Sequence, residues 1–158
     1  MTYRYRLAFT DVDYARLVFS GEYYRWAERA FETWQYESGL PWHVMIDELG
    51  LDLASVETRC HYVAPLGFED EFDVSVGLRD LDEHGFVSDF EIARADDGRL
   101  TAHGYLVRRF LHAPPPAAAL AVFRAMAERT SVERYDDRVE RLERLRRERR
   151  AARSAWTV

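Results

Sequence analysis

The hydrophobic residues of this 158-residue chain change their spacing near residue 50, and the change limits the folds it can adopt. Between residues 21 and 38 they recur at the three- and four-residue intervals of a helix: Tyr23, Trp26, Ala27, Ala30, Phe31 and Trp34. Between residues 54 and 111 they alternate with polar residues instead, as in half-buried strands. A long apolar helix face followed by a run of strands predicts an α+β fold, in which the helix packs against an antiparallel sheet.

The remaining elements follow from the same criteria. Residues 3–9 alternate and predict a first strand, while Gly39 and Pro41 end the long helix before a short one at 42–49. Two sequence pairs, His84-Gly85 and Asp97-Gly98, predict hairpin turns that make the last three strands antiparallel neighbours. Four series of alternating residues are expected to face the core: Ala54, Val56, Thr58, Cys60 and Tyr62; Phe72, Val74, Val76 and Leu78; Phe86, Phe90 and Ile92; Tyr105, Val107 and Leu111.

The C-terminal part of the chain predicts two helices after the three prolines at 114–116. The first covers residues 117–129, and the second covers residues 131–153 with a narrow apolar stripe. Residues 141–153 carry a net charge of +5, which leaves −11 on the rest of the chain. This helix is either a solvated charged face or a contact for an acidic carrier protein or for CoA phosphates. We therefore expect one domain at 1–113 and a helical extension at 114–158.

Composition excludes several classes of protein. A hydrophobic content of 47% with 14% aromatic residues indicates a folded chain, and a net charge of −6 argues against a nucleic-acid partner. Neither a signal peptide nor an apolar run of bilayer length is present, so we expect a cytoplasmic protein that does not bind membranes. With Cys60 as the single cysteine and five histidines without ligand-like spacing, we expect no disulfide, no metal and no cofactor.

The candidate site lies between residues 9 and 26, where Asp11 and Asp13 stand just before the long helix. Such a pair can serve as a helix cap or an Asx turn. Alternatively, a carboxylate facing the start of a long helix lies beside unpaired backbone N–H groups. Those groups and the helix dipole can polarise a carbonyl oxygen. An acid or base and an oxyanion donor would then lie together.

The pattern Phe-x-Asp-x-Asp, then Val-aromatic, then Tyr-x-x-Trp on a helix resembles the 4-hydroxybenzoyl-CoA thioesterase family of hotdog-fold acyl-CoA thioesterases. The resemblance continues through residues 38–42 and through Phe86-Val87, and it spans roughly residues 5–112. It implies a hotdog fold, an antiparallel sheet wrapped around a long central helix. It also implies a homodimer with active sites at the interface, often doubled to a homotetramer.

The resemblance also implies roles for individual residues. Asp13 takes the position of the catalytic carboxylate, as nucleophile or general base, and the Ser20 N–H falls where the family polarises the thioester carbonyl. Glu28 matches a carboxylic position that in some members faces the distal end of the acyl group. Tyr23 and Trp26, on the aromatic stripe, are expected to form both core and tunnel wall.

Several residues depart from the family pattern. Arg16 stands where the family usually has Gly, Ser20 where many members have His or an aromatic residue, and Glu22 where Asn is common. Arg16 either holds a substrate carboxylate or phosphate or pairs with Asp11. Residues 82–84 are acidic where relatives that bind the CoA nucleotide are basic, which makes a carrier-protein thioester the natural competitor of acyl-CoA.

These features together predict a thioesterase acting on an acyl thioester of CoA or of a phosphopantetheine carrier protein. A hotdog enzyme of other chemistry, such as a dehydratase or a polyketide-releasing enzyme, is one alternative. A non-catalytic acyl-thioester binding protein is another, because of the substitutions at Arg16, Ser20 and Glu22.

Overall fold

The structure is a computed structural model that describes residues 1–111 and 114–154, with side chains up to residue 147. Five strands form one antiparallel sheet in the order β1-β3-β4-β5-β2. The elements are β1 (Thr2–Arg6), α1 (Ser20–Glu37), β2 (Asp52–Tyr62), β3 (Glu71–Arg79), β4 (Gly85–Arg94), β5 (Leu100–Leu111), α2 (Ala117–Glu128) and α3 (Tyr135–Ser154). Short helical turns cover Phe9–Asp11 and Val44–Glu48. The α+β arrangement predicted from the sequence is confirmed.

Strands β3, β4 and β5 follow one another as hairpins, as predicted. The two other strands reach the sheet by long connections. Tyr5 of β1 lies opposite Phe72 of β3, and His61 of β2 lies opposite His103 of β5. As a result β1 and β2 are the two edges of the sheet, and β2 is the longer edge, with 11 residues.

Helix α1 packs against one face of the sheet through the aromatic stripe predicted from the sequence. The ring centroid of Trp26 lies 4.3 Å from that of Phe72, and that of Phe31 lies 5.5 Å from that of Phe86. The helix ends where expected, because Gly39 adopts the left-handed backbone with φ 91°. Burial of this large aromatic surface fixes the helix on the sheet, and the helix start is thereby held in place.

Two strand predictions are wrong in detail. The first strand ends at Arg6 rather than at residue 9, because Leu7 turns into the core and donates its N–H to the Asp70 carbonyl. Phe9 is consequently 79% exposed. In β2, a bulge makes Val56 an extra residue, so that Ser55 and not Val56 pairs on the core face.

Strand β5 also uses a different face from the one expected. Ala102 and Leu106 face the core with Arg108, whereas Tyr105 and Val107 lie on the outer face. The outer face is covered as well, since Tyr135 of α3 packs on His103 and Tyr105. Both faces of β5 are therefore buried along much of its length.

The C-terminal helices are joined closely to the sheet. Phe123 of α2 belongs to the main hydrophobic cluster and contacts the ring of Phe86. The Thr130 hydroxyl accepts from the Leu78 N–H and donates to the Leu78 carbonyl, beyond the end of β1. Gly77 makes this contact possible, because a Cβ there would lie 2.6 Å from the Thr130 methyl group.

The expected division of the chain at residue 113 falls outside the described residues, as do the last four residues of the predicted extension. Within the described part of the chain, no helix combines the length and the apolar character needed to cross a membrane.

Candidate active site

The loop between the first turn and α1 folds back on itself as a small hairpin. Val12 and Val18 form a backbone bridge, and the Asp13 N–H donates to the Leu17 carbonyl at 2.9 Å. The Phe19 N–H closes the loop by donating to the Asp11 carbonyl at 3.1 Å. The loop thus has a defined backbone shape immediately before the helix.

Asp13 is held by one carboxylate oxygen. Its Oδ1 accepts hydrogen bonds from the N–H groups of Ala15 at 2.8 Å and Leu17 at 3.2 Å. Oδ2 has no hydrogen-bond partner in residues 1–111 and 114–147. The Asx turn and the catalytic interpretation are therefore compatible, because the turn fixes one oxygen and leaves the other available.

Asp11 has a local structural contact. Its Oδ2 accepts from the Ala8 N–H at 2.9 Å and closes the short helical turn at Phe9–Asp11. No ion pair joins Asp11 to Arg16 in the part of the chain that the structure describes. The interpretation of Arg16 as the partner of Asp11 is therefore wrong.

Arg16 and Asp13 line the same surface pocket, which has a volume of about 580 Å³. Three aromatic residues form much of its wall: Phe9, Tyr14 and Phe68. The rings of Phe9 and Phe68 meet edge to face with centroids 6.1 Å apart. The pocket thus combines one carboxylate and one guanidinium with an apolar wall.

The start of α1 is open to a ligand. The residue before the helix is Phe19, which has no side chain able to cap it. The N–H groups of Ser20 and Gly21 donate to no acceptor among the described residues. The Ser20 carbonyl, by contrast, accepts from the Tyr62 hydroxyl at 3.1 Å, so β2 holds the helix start. Ser20 itself does not line the pocket of Asp13 and Arg16.

Tyr23 and Trp26 lie in the core, 4% and 7% exposed. The Tyr23 ring contacts that of Tyr62 with centroids 5.1 Å apart, and burial raises the pKa of the Tyr23 hydroxyl. Trp26 also borders a groove of about 680 Å³ along the exposed side of α1. Neither residue lines the pocket of Asp13.

Glu28 pairs with a buried arginine that the sequence does not point to. Its Oε2 lies 2.8 Å from Nη2 of Arg108, and its Oε1 accepts from the Ser55 hydroxyl at 2.8 Å. The Arg108 guanidinium stacks 4.2 Å from the centre of the Phe31 ring. Burial lowers the pKa of Arg108, and Glu28 opposes this shift. The signal in the sequence is an arginine in the series that faces the core, and the expectation that Tyr105 and Val107 face the core conceals it.

The acidic hairpin at residues 82–84 has a positive neighbour. Asp82 accepts from the backbone N–H groups of His84 and Gly85, which, with Arg109 nearby, lower the pKa of its carboxyl. Arg109 also lines a surface pocket beside Glu83 and His84. The hairpin is therefore less repulsive to phosphate than its sequence alone indicates.

A long helix lying across a five-stranded antiparallel sheet is the arrangement of a hotdog fold. The family model of the thioesterase-like superfamily matches residues 7–117, and the chain belongs to this superfamily. The resemblance to the hotdog-fold thioesterases and the hotdog fold itself, both expected from the sequence, are thereby confirmed.

Solved structures agree with this assignment. The gentisyl-coenzyme A thioesterase BH1999 is 29% identical, with a TM-score of 0.70, and the match covers 78% of this chain and 99% of that one. Two others are similar in fold. The 4-hydroxybenzoyl-CoA thioesterase of Pseudomonas sp. strain CBS-3 is 23% identical (TM-score 0.70; 77% and 97% covered). The 1,4-dihydroxy-2-naphthoyl-CoA thioesterase of Synechocystis is 20% identical (TM-score 0.72; 80% and 96% covered).

Proposed function

We propose that this protein hydrolyses acyl-CoA thioesters in the cytoplasm, with Asp13 as the group that acts on the thioester. The observation that carries the proposal is the state of its carboxylate: two backbone N–H groups fix Oδ1, Oδ2 has no partner among the described residues, and Asp13 lines a pocket with aromatic walls. A positioned carboxylate with one free oxygen is what either a nucleophile or a general base requires.

The two routes differ in which oxygen attacks the thioester carbon. As a base, Asp13 removes a proton from water, the water oxygen bonds to the carbonyl carbon, and the C–S bond breaks as the thiolate leaves and takes up the proton. As a nucleophile, Asp13 forms an anhydride with the acyl group while the thiolate leaves, and water then cleaves the anhydride. Both routes place a negative charge on the carbonyl oxygen in the first step.

The open start of α1 is suited to stabilise that charge. The Ser20 N–H has no acceptor among the described residues, and the positive end of the helix dipole adds to its effect. We propose the Ser20 backbone as the oxyanion donor. The gentisyl-CoA thioesterase, 29% identical to this chain, supports the reaction class.

We further propose that the protein assembles as a homodimer through β2. This strand is a sheet edge of 11 residues, and edges of this length are ready to pair with another chain. Sedimentation at several concentrations tests this, with a mass of twice 18.6 kDa expected and a strict monomer contradicting it. The same experiment shows, from the mass at high concentration, whether two dimers form a tetramer.

A carrier-protein thioester is the second candidate substrate, and α3 is the observation that favours it. Arg138 binds Glu91 of β4 and so joins α3 to the sheet, and both Arg138 and Arg141 bind Glu133 in the segment just before the helix. Arg144, Arg146 and Arg147 are exposed farther along the helix. They leave a basic surface that an acidic carrier could contact.

The test of the reaction is release of free thiol from short, long and aromatic acyl-CoAs, with the acid product identified by mass spectrometry. Hydrolysis gives equal amounts of thiol and carboxylic acid. Loss of water from the acyl chain with the thioester intact would identify a dehydratase instead. Binding of the thioesters without any product would identify an acyl-binding protein.

A further inference from the structure

The residue at position 16 adopts a backbone conformation that costs energy for an arginine. Its φ is 60°, in the left-handed region, which a non-glycine residue occupies at a cost of about 1–2 kcal/mol. Glycine would occupy the same conformation without this penalty. The loop therefore carries an arginine side chain at a position where its backbone favours glycine.

The positive charge of Arg16 has no partner in the part of the chain that the structure describes. Among the described residues neither neighbouring carboxylate forms an ion pair with it: Asp11 accepts from the Ala8 N–H, and Asp13 accepts from Ala15 and Leu17 through Oδ1. Arg16 is exposed and lines the pocket of Asp13. A guanidinium in this setting is available for an anion, and carboxylates match its two-pronged donor geometry.

The position of Arg16 decides which anion of the substrate it can meet. Asp13 acts at the thioester carbon, either directly or through one water molecule, so the pocket that the two residues share holds the groups next to that carbon. The phosphates of CoA lie a full pantetheine arm away from the sulfur atom. An anion that reaches Arg16 in this pocket must therefore belong to the acyl group.

Resting on the function proposed above, we infer that Arg16 binds a carboxylate on the acyl group, so that the preferred substrates are mono-thioesters of dicarboxylic acids. Asp13 alone would repel such a substrate, and the guanidinium beside it offsets this repulsion. The rings of Phe9, Tyr14 and Phe68 supply the apolar wall for the carbon skeleton between the two carboxyl groups.

The test compares kcat/KM for succinyl-CoA and butyryl-CoA, which have acyl chains of equal carbon number and differ in the terminal carboxylate. Wild type is expected to prefer succinyl-CoA. Arg16→Gln and Arg16→Gly should each lower the succinyl-to-butyryl ratio by roughly 10-fold or more, the scale of one lost charged hydrogen bond. Arg4→Gln is the matched control, since Arg4 is an exposed arginine on β1 paired with Asp73, and it should leave the ratio unchanged.

An unchanged ratio in both Arg16 variants would overturn the inference. If that unchanged ratio comes from an equal loss for both CoA substrates, with no loss for the corresponding pantetheine thioesters, Arg16 is assigned to a CoA phosphate.

A binding experiment separates this inference from the proposed function. Calorimetry with non-hydrolysable thioether analogues of the same two substrates measures the Arg16 contribution without turnover. If wild type hydrolyses butyryl-CoA but neither reaction nor binding favours the carboxylate, the inference fails and the function stands. If no thioester is hydrolysed but the carboxylate analogue still binds more tightly through Arg16, the function fails and the inference stands.

Discussion

At the scale of single residues, the two aspartates before α1 have different environments and are expected to have different effects. Asp13→Asn should lower thioester hydrolysis by at least about 100-fold, because a positioned acid or base contributes on that scale. The amide oxygen can still accept from Ala15 and Leu17, so the loop should be retained. Asp11→Asn should cost less, since the contact of the Asp11 side chain among the described residues is with the Ala8 N–H of the turn. Steady-state thiol release measures both, and equal rates for wild type and Asp13→Asn would contradict the mechanism.

The pair of Glu28 and Arg108 leads to an asymmetric prediction for stability. Arg108 has a side chain that is 3% exposed, whereas that of Glu28 is 32% exposed. Glu28→Ala leaves a buried guanidinium without its counter-charge and should cost about 1–3 kcal/mol of unfolding free energy. Arg108→Met leaves a carboxylate that water can reach, and it should cost less.

Urea denaturation of both variants and of the double variant measures this asymmetry. An Arg108→Met loss that equals or exceeds the Glu28→Ala loss would show that stacking on Phe31 outweighs the charge pair.

The sequence proposes Asp13 because the motif that resembles the thioesterase family lies within one short segment, and the structure places Asp13 in the wall of a pocket. It could not identify Arg108, whose partners come from α1 and β2, far away in the chain. It also left Arg16 with two interpretations, since the absence of an ion pair with Asp11 depends on how the loop folds. Contacts within one turn can be predicted from the sequence, whereas contacts between elements that are distant in the chain are much harder to predict.

At the scale of elements, the layer between β5 and α3 should make stability depend on pH. His103 is 1% exposed, and neither ring nitrogen has a hydrogen-bond partner among the described residues. Burial, together with Arg138, His61 and Arg141, lowers its pKa to about 4, and Glu133 opposes this. Glu91 of β4 lies opposite it in register, and Tyr135 covers its ring.

Because the folded-state pKa lies below the unfolded value near 6.5, the unfolded state binds the proton more readily. The free energy of unfolding should have its full value above about pH 6.5. It should decrease by about 1–3 kcal/mol as the pH falls towards 4. Denaturation in urea at pH 7.5 and pH 5 measures the difference. His103→Leu should reduce it, and His84→Gln, at the exposed hairpin, should leave it unchanged. An equal pH effect in the wild type and in His103→Leu would contradict the assignment.

The elements differ in how well the sequence predicts them. Helix α1 has one buried face and one exposed face, so its hydrophobic stripe could be read directly. Strand β5 has α1 on one side and α3 on the other, and Thr101 and His103 are buried as well as Ala102 and Leu106. A strand covered on both faces loses the alternation that would show which side is the core. The face of β5 was therefore predicted incorrectly.

At the scale of the whole molecule, the division of charge between α3 and the rest of the chain can be tested with the carrier. If a carrier protein docks on the exposed arginines of α3, the kcat/KM for hydrolysis of the carrier thioester should fall with added salt. The reason is that 0.1 M salt screens attraction between charges about 10 Å apart. Truncation after Asp137 should reduce the carrier reaction selectively. The same acyl group on CoA is the control substrate, and circular dichroism must show that the truncated protein folds. A preference for acyl-CoA that is independent of truncation would make α3 a structural helix only.

The bulge in β2 also affects how this strand tolerates changes in length. Losing one residue from a regular strand moves every later side chain to the opposite face of the sheet. Val56 is the exception, because Ser55 pairs with Arg108 and Glu57 pairs with Val107 on either side of it. Deleting Val56 would leave both pairings in register and would remove an apolar side chain that is 58% exposed. Among single-residue deletions in β2, deletion of Val56 is therefore expected to be tolerated best.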